Sequence, residues 1–322
     1  MIKKSLMLIL LFASTAVGQV QNKALYQHLQ DVSVTVKSFA GEGSGVIVTR
    51  EVTNSSGKKE KVNFVWTAAH VVDGLRSVRV IIKDGKPTTV VEFKDAQIVK
   101  ELVENGRRVG EIKMEAKVIK YSDADNGEDL ALLMVRKKGF IDKTTTFHAS
   151  DESVPIGTEL YHVGSLLGQV GSNSMTRGIL SQIGRVLDLG TGDGVVFDQT
   201  SCPGFPGSSG GGVFLSERTK GHEGHYVGML VRGAGETFNL IVPVRRMRKY
   251  AKSNGVLWAL DQKAPTPTYE NILKLPVEGT IDSKGDKRGK SSSGSAKFPF
   301  LFRDARTPQQ ISPFLPRRPI ED

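Results

Sequence analysis

The chain of 322 residues holds a single cysteine, Cys202, so it forms no internal disulfide and the disulfide-stapled secreted scaffolds are excluded. Aromatic residues are sparse at 7%, and no nucleic-acid module or stacking platform accompanies the net charge of +10. The apolar run Leu6 to Ala13 falls short of the ~20 residues that span a bilayer. The acidic stretch Asp123-Ala124-Asp125-Asn126-Gly127 lacks glycine at the sixth position of a calcium loop and has Met134 at the twelfth, which excludes that reading. No metal or cofactor is expected.

What is present points to strands. The chain has 35 glycines and many short apolar runs set between turn residues. Ser33 to Lys37, Ser77 to Ile82 and Gly194 to Asp198 alternate or cluster as strands do. Helical periodicity is confined to Val20 to Gln30 and to Pro243 to Ser253, where a leading proline favours a helix. The expected fold class is therefore all-β: two antiparallel β-barrels, a closing C-terminal helix and a disordered tail. The expected divisions are a signal peptide over 1–18, a first barrel over 19–142, a second barrel with the closing helix over 143–260, and the tail over 261–322. Lys3-Lys4, the apolar run and the small residues ending in Ala16-Val17-Gly18 predict export to the periplasm or beyond, with cleavage after Gly18.

Pro206-Gly207-Ser208-Ser209-Gly210-Gly211-Gly212 places serines in a glycine-rich bend. A serine hydroxyl attacks only with a base to take its proton, a group to orient that base, and donors for the oxyanion. Trp66-Thr67-Ala68-Ala69-His70-Val71-Val72 offers the base. Glu128-Asp129-Leu130-Ala131-Leu132-Leu133 offers the orienting carboxylate, with Asp123, Asp125 and Glu128 as rivals in a polar loop. Ser208 competes with Ser209 as nucleophile. The chain order His, Asp, Ser is one of three that build the same triad on unrelated folds. Gly207-Ser208-Ser209-Gly210-Gly211 also fits the elbow of α/β-hydrolases, but that fold needs its acid and histidine after the serine. His222-Glu223-Gly224-His225 is not the His-Glu-x-x-His metal motif and reads as a surface turn.

Together these motifs resemble the trypsin-like (chymotrypsin-fold) serine peptidases, most of all their HtrA or Do-like bacterial branch, over about residues 30 to 255. Gly43-Ser44-Gly45-Val46-Ile47 is similar to that family's early glycine-rich strand. Tyr161-His162-Val163-Gly164 with Met175 to Ser181 resembles the paired strands that open the second barrel, and Gln199-Thr200 stands where the family has a Gln-Thr pair. The resemblance implies Ser209 as nucleophile, His70 as general base and Asp129 as its partner, with the N–H groups of Gly207 and Ser209 forming the oxyanion hole. Ser208 replaces the aspartate that zymogen-activated relatives carry, and no Ile-Val-Gly-Gly sequence is present, so activation by N-terminal insertion is not expected.

By the same resemblance the substrate-binding residues are Cys202, Pro203, Gly204 and Phe205 on one wall and Val231, Arg232 and Gly233 on the other. Cys202 is expected to be a packed, inert wall residue. No acid stands in the first group, so cleavage after small or medium apolar residues of a polypeptide is expected. Eight of the 13 prolines lie after Asp261, in a Ser- and Lys-rich segment that cannot bury a core. Within it, Ile272-Leu273 and Phe298 to Phe302 are apolar islands able to dock. The segment is too short for the PDZ domains of HtrA-type enzymes, so PDZ regulation is not expected. Arg245, Arg246, Arg248 and Lys249 form a basic cluster, read as a solvated face or as a contact for anionic surfaces. The alternatives are a viral or phage processing protease and a non-catalytic barrel that only binds.

Overall fold

A computed structural model describes residues 23–278 except 40, 84, 105–106, 126, 189–193 and 234–235. The proposed signal peptide and Phe298 to Phe302 lie outside the described residues. After a helix over 23–31 (α1), six strands close a barrel: β1 (Ser33–Ser38), β2 (Gly41–Thr53), β3 (Lys59–Thr67), β6 (Ala96–Glu104), β7 (Arg107–Ser122) and β8 (Leu130–Val135), in the order β1-β2-β3-β8-β7-β6. Between β3 and β6, β4 (Arg76–Lys83) and β5 (Lys86–Phe93) pair as a separate hairpin. The run read as a strand at Ser77 to Ile82 is one, and it pairs in this hairpin outside the barrel. A second barrel follows: β9 (Glu159–Leu166), β10 (Gly171–Asp188), β11 (Gly194–Thr200), β12 (Gly212–Leu215), β13 (Tyr226–Gly233) and β14 (Asn239–Pro243), in the order β10-β11-β14-β13-β12-β9. Every strand pair in both barrels is antiparallel. The all-β, two-barrel reading holds.

Burial explains the strand sequences. All six residues of β8, Leu-Ala-Leu-Leu-Met-Val, are buried, so the strand is a continuous apolar run instead of an alternating one. The C-terminal segment returns over the first barrel and covers β3, the neighbour of β8. Trp66 Nε1 donates to Ala259 O (3.0 Å), and the Phe64 and Trp258 rings meet edge to face with centroids 4.7 Å apart. The segment is delivered by α3 (Val244–Ser253), whose buried Val244, Met247, Tyr250 and Ala251 recur at helical spacing. Pro243 caps this helix from the end of β14 and is not its first residue.

Two expectations are corrected here. The tail does not begin at 261: residues 261–278 are packed against the first barrel. Arg50 donates to Ala264 O and Thr266 Oγ1 (each 2.8 Å), Ile272 of the short helix α4 (Tyr269–Leu273) is fully buried, and Tyr121 N–H donates to Val277 O (2.8 Å). Ile272 docks as the sequence allowed, whereas Leu273 remains exposed. Nor is the basic cluster on α3 an open patch. Arg245 grips Asp198 with two 2.6 Å bonds, Arg246 pairs with Glu128, and Arg248 pairs with Asp151. Acids outside the helix pair with three of the four charges, and Lys249 is exposed. Glu128, expected in a solvated loop, is likewise held by Arg246.

Candidate active site

His70 lies in a single helical turn, α2 (Ala69–Val72), immediately after β3. Asp129 stands one residue before β8, and β3 and β8 are neighbours in the barrel, so the two residues are brought face to face by sheet pairing. Asp129 Oδ1 and Oδ2 each lie 3.0 Å from His70 Nδ1, and Oδ1 also accepts from the His70 backbone N–H at 3.2 Å. One carboxylate therefore fixes both the backbone and the ring of the same histidine. It accepts the hydrogen bond of Nδ1–H, which leaves the lone pair on Nε2. Asp129 adopts a left-handed backbone with φ 54, a conformation more accessible to aspartate than to most residues. Burial at 1% exposure would raise its carboxyl, but the charge and hydrogen bonds of His70, helped by Arg232, outweigh burial and hold it below the usual carboxylate range.

Ser209 comes from the second barrel, in the bend before β12. Its backbone O accepts from Ser44 N–H at 2.7 Å, which ties the bend to β2 of the first barrel. Ser209 Oγ makes a long 3.5 Å contact with Val231 O, and its hydrogen bond to His70 is not formed in this resting geometry. Such bonds commonly tighten only with substrate. Ser208, the rival, is fully buried, and its Oγ accepts from Phe205 N–H at 3.0 Å. It is occupied in shaping the bend.

The backbone donors of the bend separate into two groups. Ser208 N–H donates to Phe205 O, Gly210 N–H to Leu230 O and Gly211 N–H to Ser208 O. Among the described residues, the N–H groups of Gly207 and Ser209 have no protein acceptor. Gly207 has φ +92, and a Cβ there would lie 2.3 Å from Ser165 O and 2.6 Å from Gly168 N. Only glycine fits. Its carbonyl is tied back by Ser44 Oγ at 2.7 Å.

The proposed substrate walls are less uniform than expected. β12 pairs with β13 only as far as Met229, so from Val231 to Gly233 that edge of β13 carries no strand partner. Arg232 donates from its guanidinium to Ala124 O (2.9 Å) and lends positive charge to Asp129. Cys202 is fully buried in the smaller apolar cluster of the second barrel, its thiol directed to Leu160 O at 3.4 Å and pushed up to about 11 by burial. It supports the wall from behind. Pro203 and Phe205 are half-buried and Gly204 is buried, braced by Asn239, which donates to Cys202 O at 2.9 Å. Sequence reasoning missed the joining role of Ser44 and the second-layer role of Arg232. Ser44 sat within the Gly-Ser-Gly motif but carried no chemical signal of its own.

The trypsin-like peptidase domain family model matches residues 43–222. The serine protease Do-like HtrA of Lactobacillus helveticus is 27% identical over 175 residues, 54% of this chain and 33% of that protein. The match thus spans about a third of that relative's length. Among solved structures, Deg5 aligns at a TM-score of 0.49 with 19% identity, covering 76% of this chain and 98% of that one. The apo MamO protease domain of Magnetospirillum magneticum aligns at 0.46 with 18% identity, covering 70% and 98%.

Proposed function

The chain belongs to the trypsin-like peptidase family, and on that premise we propose that it is a serine endopeptidase working through His70, Asp129 and Ser209. The observation that carries this reading is the meeting of an Asp129-locked His70 with a bend whose Gly207 and Ser209 N–H groups have no acceptor among the described residues. A polypeptide adds as a strand along Val231 to Gly233, which supplies main-chain hydrogen bonds. Ser209 Oγ rotates from Val231 O and attacks the scissile carbonyl while its proton passes to His70 Nε2. Asp129 stabilises the resulting imidazolium and keeps Nδ1–H in place. The oxyanion accepts from the N–H groups of Gly207 and Ser209. His70 then returns the proton to the leaving amine, and water releases the acyl group from Ser209 by the same steps in reverse. The wall Pro203 to Phe205 carries no acid, which favours cleavage after small or medium apolar residues. The N-terminal pattern of Lys3-Lys4 and the apolar run supports action after export.

The test is labelling by a fluorophosphonate probe together with casein cleavage, on the purified chain and on Ser209→Ala. Both signals are expected to vanish in the variant, with turnover down by about 10⁶. Labelling that persists in Ser209→Ala would remove Ser209 from the mechanism. A folded wild-type chain that neither labels nor cleaves would leave a barrel that only binds.

A further inference from the structure

Away from the triad, three histidines meet where the connector between the barrels crosses the turn joining β12 to β13. His148 lies in the connector, and His222 and His225 lie in the turn. One ring nitrogen of each falls within 4.8 Å of those of the other two. The ring centroids of His148–His222, His148–His225 and His222–His225 are 5.3, 6.3 and 5.0 Å apart.

The backbone beneath them is fully bonded. His148 N–H donates to Tyr226 O (2.9 Å) and Tyr226 N–H to Thr146 O (2.8 Å), which seats the connector on β13. His222 N–H donates to Thr219 O (3.0 Å), His225 N–H to His222 O (3.0 Å) and Leu215 N–H to His225 O (2.9 Å). Two of the rings, by contrast, are left unsatisfied: among the described residues, Nδ1 of His148 and Nδ1 of His225 are buried and have no hydrogen-bond partner. Buried polar atoms without partners are uncommon and call for an occupant.

We propose that His148, His222 and His225 bind a zinc ion that fastens the inter-barrel connector to the β12–β13 turn. Three imidazoles without a carboxylate cage suit zinc and not calcium or magnesium. Tetrahedral Zn–N bonds of about 2.0–2.1 Å place the nitrogens roughly 3.4 Å apart, a contraction that small ring rotations supply. The fourth position is left to water. The charged groups nearby include Arg248, Asp151 and Glu223, with Glu152 and the Arg245–Asp198 pair lining the cavity beside His148. Arg248 donates to His148 O (2.6 Å) and would repel a cation, but it is paired with Asp151. Glu223, between the two turn histidines, contributes negative charge in the same turn. β12 runs from Gly212 beside the nucleophile bend to Leu215 at this turn, so the site lies about 13 Å along a four-residue strand from the bend. It is a structural site, not a second catalytic centre.

The test uses untagged protein in a Ser209→Ala background, stripped with a chelator and titrated with Zn²⁺ against a chromophoric competitor, with Tm recorded in parallel. One equivalent is expected to bind and to raise Tm by about 5 °C at saturation, with no rise from Mg²⁺ or Ca²⁺. His222→Ala, at the exposed corner of the cluster, should weaken binding at least ~10-fold without loss of fold. His70→Ala should leave zinc affinity unchanged. Equal zinc affinity in wild type and in His148→Gln/His222→Gln/His225→Gln would overturn the proposal. So would the absence of a tight equivalent in the wild-type chain, or loss of binding in His70→Ala.

Discussion

The two halves of the candidate active site are built on opposite plans. In the first-barrel half, both oxygens of Asp129 are committed to His70 and the carboxylate is almost fully buried. In the second-barrel half, among the described residues, Ser209 Oγ has one long contact and the donors beside it have no acceptor. The first half is fixed by bonds, the second by conformation, through a glycine at φ +92 that no other residue can replace. The chemistry calls for this difference. A general base must hold one tautomer before substrate arrives, whereas oxyanion donors must stay unspent until the charge appears.

The largest break in that comparison is expected on the bonded side. Asp129→Asn keeps the shape of the side chain but presents an amide N–H to Nδ1 and favours the wrong tautomer. Turnover should fall by about 10⁴ with little change in substrate affinity, and steady-state kinetics on a peptide would read both. A fall of less than ~10-fold would mean that His70 does not depend on Asp129. On the conformational side, Gly207→Ala must strain the backbone and push Ser165 O and Gly168 N apart. Misplacing one oxyanion donor should cost about 10²–10³ in kcat, while fluorophosphonate labelling falls less than turnover does. Full activity in the alanine variant would relocate the oxyanion hole.

A sharper contrast lies between two histidines. His70 sits half-exposed with a carboxylate partner; His162 on β9 is fully buried, its Nδ1 3.1 Å from Gly212 O and its ring pressed against Gly211 under the nucleophile bend. Burial pushes the His162 imidazole down to about 4. The unfolded chain therefore binds this proton from about pH 6.5 downward while the folded chain does not. The contribution is fully present above pH 6.5 and lost as pH falls through about 4. It amounts to about 3 kcal/mol at 1.36 kcal/mol per pH unit. Denaturant melts across that window should show the slope in wild type and lose it in His162→Gln. Asp129, held below the usual carboxylate range, loses its contribution only at lower pH. An identical slope in the glutamine variant would assign the acid sensitivity elsewhere.

Much of this was legible in the sequence because strands and catalytic motifs leave local marks. Continuous apolar runs such as Leu130 to Val135 and the glycine spacing around Ser209 identify barrel strands and the bend without reference to any partner. What stayed hidden depends on pairings between distant segments. Arg245, Arg246 and Arg248 read as a basic face because Asp198, Glu128 and Asp151 lie far away in sequence. Residues 261–278 read as tail because their composition is polar, while the surface that receives them belongs to Arg50, Arg76 and Tyr121. His222 and His225 read as a turn, which they form, but the third imidazole of the cluster is His148 in the connector. The contact of Arg232 with Ala124 O was equally hidden, because a strand position does not reveal where a long side chain turns.

The smallest expected effect tests the joint between the two halves. Ser44, fully buried on β2, donates its N–H to Ser209 O and its Oγ–H to Gly207 O, and its Oγ accepts from Ser165 N–H, each at 2.7 Å. Removing the hydroxyl in Ser44→Ala leaves the Ser165 donor and the Gly207 carbonyl without that partner but keeps the main-chain tie to Ser209. The cost should be about 1–2 kcal/mol in a urea melt. With the Gly207 peptide less restrained, kcat should fall by no more than ~10-fold at unchanged KM. If stability fell while kcat held, the glycine conformation alone would suffice to aim the donors. If kcat fell as far as in Gly207→Ala, the first barrel would be setting the oxyanion geometry of the second, and the division between a bonded half and a conformational half would not stand.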